Sequence, residues 1–183
     1  MGLVHYRRHF AGKGKGGVLS KLELDKLLQK SPIVVPKKRN YRIETIESHY
    51  GNTFDIKHID ILRGAIEGQC PEYLDDFEHV MKSTSAHMFN MFVMRKDLLD
   101  SYCGWMFPIL DVVDHELDYS QMSPFEARAV GRLSERLLEV WLIHNRMSFV
   151  ETPVLNTEKT NWIVKGGSFL AASLFGKKYE KSF

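Results

Sequence analysis

Apolar residues recur at helical spacing over five stretches of this chain and form short runs over four others. Leu22, Leu24, Leu27 and Leu28 predict a helix through Gln29. Ser20 is its N-cap, and Glu23 three residues later completes a capping box. Asp55 caps a second helix whose face is Ile59, Leu62 and Ile66 and which Gly68 ends. Pro71 opens a third, through Met81. An aromatic-rich fourth runs from Asp97 to Val113, where Pro108 must kink or divide it. Ser123, Pro124 and Glu126 open the longest helix, through about His144, with Val130, Leu133, Leu137, Val140 and Trp141 as its core stripe. Gly2–Val4 reads as the end of a short buried strand, and "PIVVPKKRNYR" as an apolar strand ending in a basic loop. "AHMFNMFVMRK" is the strongest interior strand, because its nearly continuous apolar run suits cover on both faces. "FVETPVL" is a late short strand, and "AGKGKGG" is a loop. Strands alternating with helices predict an α/β architecture, with few strands for a complete sheet.

Composition narrows the class. The 183 residues, 44% apolar and 26% charged, suit one domain spanning 1–183 and exclude a disordered chain. A net charge of +2 disfavours nucleic-acid binding by bulk charge, so no nucleic-acid partner is expected. Cys70 and Cys103 lack CxxC spacing and read as reduced cytosolic thiols. No run of eighteen apolar residues and no secretory signal is visible. The eight histidines offer no HExxH, HxH or Cys/His spacing, so a histidine-built metal site is not expected.

Charge is concentrated locally. His5, Tyr6, Arg7, Arg8 and His9 form a cationic patch, and no acid follows until Glu23. Ligands of open α/β sheets bind beyond the carboxyl ends of strands, where His5, Arg7 and Arg8 would stand after Gly2–Val4. Arginine suits phosphate because its planar fork donates in pairs. The same residues also fit a solvated basic terminus, and "PKKRNYR" reads more simply as surface. The acids Asp111, Asp114, Glu116 and Asp118 read as a solvated face. On the long helix Arg128, Arg132, Glu135 and Glu139 follow at spacings of four, three and four on a face of their own. Glu135 there suits either an ion pair with Arg128 or Arg132, or a carboxylate that accepts a proton, and spacing leaves both open.

Read together, "GLVHYRRHF", "HMFNMFVMRKDLLDSYCGWMFPIL" and "EARAVGRLSERLLEVWL" resemble the capsular polysaccharide synthesis family of bacterial exopolysaccharide and capsule operons. The family pattern has a Gly-Leu-x-His-Tyr-Arg-Arg strand end, an Asn-Met-Phe strand before a Tyr-Cys-x-Trp helix, and a Ser-Glu-Arg-Leu helix. All three occur here in order.

The resemblance implies a Rossmann-like glycosyltransferase (GT-A-like) core, incomplete at the N-terminus and helix-rich in its C-terminal half. It implies transfer of a sugar, galactofuranose in some members, from a UDP-sugar to a lipid-linked oligosaccharide. His5, Tyr6, Arg7 and Arg8 would hold the donor diphosphate. His87, Asn90 and Arg132 would line the sugar or acceptor cleft, and Glu135 would be the general base. Met91, Ser134 and Arg136 match the same motifs. Related folds hold a divalent metal with an Asp-x-Asp pair; His-Tyr-Arg-Arg stands in that place, so no divalent metal is expected. Met1 falls where the family has an interior strand, so the chain reads as a shortened family member, and an inactive fragment is one alternative. A non-catalytic basic nucleic-acid-binding module is another. A cytoplasmic protein at the inner membrane face is expected, with Phe169, Leu170, Leu174, Phe175, Lys177 and Lys178 either touching the membrane or docking on the core.

Overall fold

The computed structural model describes residues 1–5 and 7–157. Tyr6 and the apolar tail from 166 onward therefore lie outside the described residues. The elements are β1 (Gly2–Leu3), β2 (Arg8–Phe10), α1 (Lys21–Lys30), β3 (Ile33–Pro36), β4 (Arg39–Asn40), α2 (Ile46–Gly51) and α3 (Lys57–Gln69). There follow α4 (Leu74–Lys82), β5 (Ser85–Ala86), β6 (Phe92–Met94), α5 (Lys96–Glu116), α6 (Ala129–His144), β7 (Val150–Thr152) and β8 (Val154–Asn156).

The main sheet has the order β1-β6-β3-β7. All four residues of β3 are buried, as a central strand requires. It pairs antiparallel with β6 (Val34 opposite Val93) and parallel with β7 (Val34 opposite Val150). Two-stranded ribbons, β2-β8 and β4-β5, flank this mixed α/β sheet.

Local rules account for some helix starts. Ser20 Oγ accepts from the Glu23 amide at 3.4 Å, and the Glu23 carboxylate takes the Ser20 amide at 3.0 Å, closing the capping box of α1. Ser123 and Glu126 make the same exchange before a 3₁₀ turn (Glu126–Arg128) that runs into α6. In α6, Leu133, Leu137, Val140 and Trp141 are buried, and Val130 is half-buried. α4 and α5 pack against α6, and α3 packs against α5, forming one apolar cluster with the sheet.

Six expectations change. The helix predicted to open at Ser123 and to be the longest begins at Ala129 and has 16 residues, while α5 has 21. Gly2–Leu3 is an exposed edge strand rather than a buried one. The run "AHMFNMFVMRK" is not one strand: Phe89 (φ 85°) and Asn90 (φ 49°) take left-handed backbone and separate β5 from β6. Asparagine tolerates that region and phenylalanine does so at a cost, so tertiary contacts must hold the turn. Pro108 does not divide α5, which runs unbroken from Lys96 to Glu116. Its five buried residues, Tyr102, Met106, Ile109, Leu110 and Val113, contribute roughly 1.5–3 kcal/mol each, more than the ~3 kcal/mol an interior proline costs. "FVETPVL" is two strands on different sheets, parted at Pro153. Finally, Asp55 Oδ1 accepts from the Lys57 amide at 3.0 Å just ahead of α3, whose N-cap is Ile56.

Candidate functional site

Three elements meet at a cleft of about 390 Å³, within the size range of small-molecule pockets. Leu3, Val4 and His5 come from the end of β1, Phe89 and Asn90 from the β5–β6 turn, and Arg128, Gly131, Arg132 and Glu135 from the start of α6. The last four recur every three or four residues and so share one face of the helix. The left-handed turn brings Asn90 Nδ2 to within 2.7 Å of Ser134 Oγ, to which it donates, and Ser134 Oγ donates to the Gly131 carbonyl at 2.9 Å. The turn is thereby tied to α6.

Arg132 is the best-defined cation of the cleft. Its guanidinium carbon lies 4.2 Å from the ring centres of both Phe54 and Phe125, and Nη2 donates to the Phe125 carbonyl. Its Nη1 is buried and has no hydrogen-bond partner among the described residues. An unmet buried donor costs roughly 1–3 kcal/mol. Arg136, buried one turn on, stacks 4.6 Å from the Tyr50 ring and donates to the Arg132 carbonyl.

Glu135 is half-buried. Burial pushes its carboxyl above the usual carboxylate range, and the guanidiniums of Arg136, Arg8, Arg39 and Arg132 pull it back. Desolvation is the larger effect. A raised carboxyl holds a proton more strongly, which suits a base.

One turn beyond Glu135, Glu139 faces inward rather than sharing the cleft face. Its Oε1 accepts from Lys38 Nζ at 2.6 Å, and its Oε2 meets the His87 amide at 3.1 Å and His87 Nδ1 at 2.5 Å. His87 Nε2 is 2.9 Å from Glu151 Oε1 on β7. Burial resists ionisation of Glu139, but the His87 hydrogen bonds and charge, with Lys38, outweigh it and hold the carboxyl at about 2. His87 has no exposed surface, so it does not line the cleft expected of it. It pins the start of the β5–β6 turn to α6 and β7 from behind.

Four expected residues, His5, Asn90, Arg132 and Glu135, thus gather in one cleft. Arg7 and Arg8 do not line it, because a tight turn (Arg8 amide to His5 carbonyl, 3.1 Å) reverses the chain into β2. Arg8 instead places its guanidinium 4.3 Å from the Phe89 ring centre. The sequence gives no sign of Phe89 or Glu151, and Lys38 and Arg39, both in "PKKRNYR", read there as surface. Only the asparagine beside Phe89, a residue that accepts left-handed backbone, hinted at the turn. Among the described residues, no group of three or more His, Cys, Asp or Glu side chains is arranged to hold a metal ion, and no helix is long and apolar enough to cross a membrane.

Among solved structures, the chain is similar to the apo structure of the bifunctional glycosyltransferase WbbM. The TM-score is 0.76 at 22% identity, over 86% of this chain and 33% of that one. The chain thus spans about a third of the length of the protein it matches, and the likeness establishes the shared α/β fold. No curated protein matches the chain. Residues 1–146 match the family described as "Domain of unknown function (DUF4422)", and the chain belongs to that family.

Proposed function

We propose that the chain is a glycosyltransferase that moves a sugar from a nucleotide-sugar donor to an acceptor hydroxyl. One observation carries this reading: the Glu135 carboxyl shares a cleft with Arg132, whose buried Nη1 lacks a partner among the described residues, and with Arg128 and His5. The fold likeness to a bifunctional glycosyltransferase supports it.

In this reading the donor diphosphate lies against Arg132, Arg128 and His5. The two guanidiniums there bind the ground state and also offset the charge that grows on the diphosphate as it leaves. The acceptor oxygen forms a bond to the anomeric carbon while the bond from that carbon to the phosphate oxygen breaks. Its electron pair departs with the nucleoside diphosphate, and the acceptor proton passes to Glu135. Asn90, held by Ser134, faces the same cleft and orients the sugar hydroxyls. The resemblance to capsule-assembly enzymes adds the finer assignment: a UDP-sugar donor such as UDP-galactofuranose, and a lipid-linked oligosaccharide acceptor.

Thermal protection by UDP tests the donor site. UDP raises the melting temperature of the wild-type chain and of Glu135→Gln, and Arg132→Leu with Arg128→Gln loses the rise. Equal protection of the Arg132/Arg128 double variant overturns the assignment.

A further inference from the structure

Two arginines of α6 interlock with two aromatic residues at the end of α2. Arg132 and Arg136 are one helical turn apart. Tyr50 and Phe54 are also one turn apart, because the Phe54 amide donates to the Tyr50 carbonyl at 2.8 Å. Arg136 stands 4.6 Å from the Tyr50 ring centre and Arg132 stands 4.2 Å from that of Phe54, while the two rings are 5.0 Å apart. Phe125, in the connection between α5 and α6, adds a second ring 4.2 Å from Arg132. Its centre is 5.5 Å from that of Phe54, so the two rings form one shared seat for the guanidinium rather than opposite walls.

How Arg132 is held decides what it can do. Its Nη2 donates to the Phe125 carbonyl, and Arg136 Nη1 donates to the Arg132 carbonyl. Aromatic faces and backbone carbonyls fix a guanidinium without cancelling its charge, whereas a carboxylate partner would cancel it. Arg132 therefore enters the cleft as an ordered cation. Phe54 and Phe125 do not line the cleft, so any effect they have on a ligand there passes through Arg132. An arginine without such a seat must be ordered at the moment of binding, which costs roughly three- to tenfold in affinity.

We propose that Phe54 and Phe125 are positioning residues of the donor site, which hold the Arg132 guanidinium in one pose, with its charge intact, before the diphosphate arrives. The inference rests on the glycosyltransferase reading, in which Arg132 meets that diphosphate. It makes donor affinity depend on the connection between α5 and α6, which carries Phe125.

Calorimetric titration of UDP into the 183-residue chain and its variants tests this. Leucine keeps an apolar side chain and removes the ring face. Phe54→Leu and Phe125→Leu should each weaken UDP binding by roughly three- to tenfold, while Phe54→Tyr and Phe125→Tyr, which keep the ring, stay within about twofold of the wild type. In the Arg132→Leu chain, which retains Arg128, Phe125→Leu should add less than about twofold, because the group it positions is gone. Phe125 is half-buried between exposed neighbours, so its variants decide the matter if Phe54→Leu does not fold. The proposal is overturned if tyrosine weakens binding as leucine does, or if Phe125→Leu weakens the Arg132→Leu chain as much as the wild type. A wild-type chain that gives no UDP signal overturns the donor reading and this inference with it. Normal UDP binding by Phe125→Leu overturns the inference alone.

Discussion

Replacing Glu139 by Gln removes one negative charge from behind the cleft and leaves the side-chain shape almost unchanged. The carboxylate is 3% exposed and joins Lys38 on β3's trailing loop to His87 ahead of the β5–β6 turn. Folding lowers its pKa from 4.5 to about 2, which corresponds to about 3 kcal/mol of stability at neutral pH. Removing one partner from a buried ion pair costs a similar ~3–5 kcal/mol, so two routes agree in size. Because folding depresses this pKa, the contribution is complete above the unfolded value and is lost as pH falls from 4.5 toward 2. Urea unfolding at pH 7 should show Glu139→Gln less stable by about 3 kcal/mol, or roughly 6–12 °C in melting temperature for a domain this size. At pH 3 the gap should shrink to less than about half that value. A gap under ~1 kcal/mol at pH 7, or one that does not change with pH, would refute the reasoning.

Two other perturbations read the cleft itself. Asn90→Ala loses the hydrogen bond to Ser134 and places a less tolerant residue at φ 49°, so it should cost about 2 kcal/mol. Asn90→Gly, which keeps the backbone freedom, should recover roughly half of that in the same urea titration. Chelation is the second: Arg128 and Arg132 supply the cleft's positive charge, so EDTA should leave the UDP-induced thermal shift unchanged, and its loss would show that a divalent ion mediates donor binding.

What the chain revealed before folding was whatever depends on short range. The Ser20–Glu23 and Ser123–Glu126 boxes and the stripe from Leu133 to Trp141 follow from local capping and helical periodicity. They appear as expected. The clustering of Arg132 and Glu135 was legible because a helix fixes their spacing. The left-handed turn at Phe89 was not, since its cost is met by contacts from residues far along the chain, including Ser134 and Glu139. For the same reason His87 could be singled out, but its burial between Glu139 and Glu151 could not, because those partners lie 52 and 64 residues away. Arg39 looked like solvated surface because only folding brings Tyr41 and Phe89 under its guanidinium.

The central claim is that Glu135 takes the proton from the acceptor, and turnover of Glu135→Gln measures it most directly. Glutamine keeps the shape of the side chain and cannot accept the proton. Transfer from a UDP-sugar should fall by roughly two to four orders of magnitude, while UDP binding stays within about twofold. The wild-type rate should lose activity as pH falls through a carboxyl pKa lying above the usual range, since burial raises that of Glu135, and the variant should lose this acid limb. Near-normal turnover in Glu135→Gln, with the acid limb intact, would contradict the account.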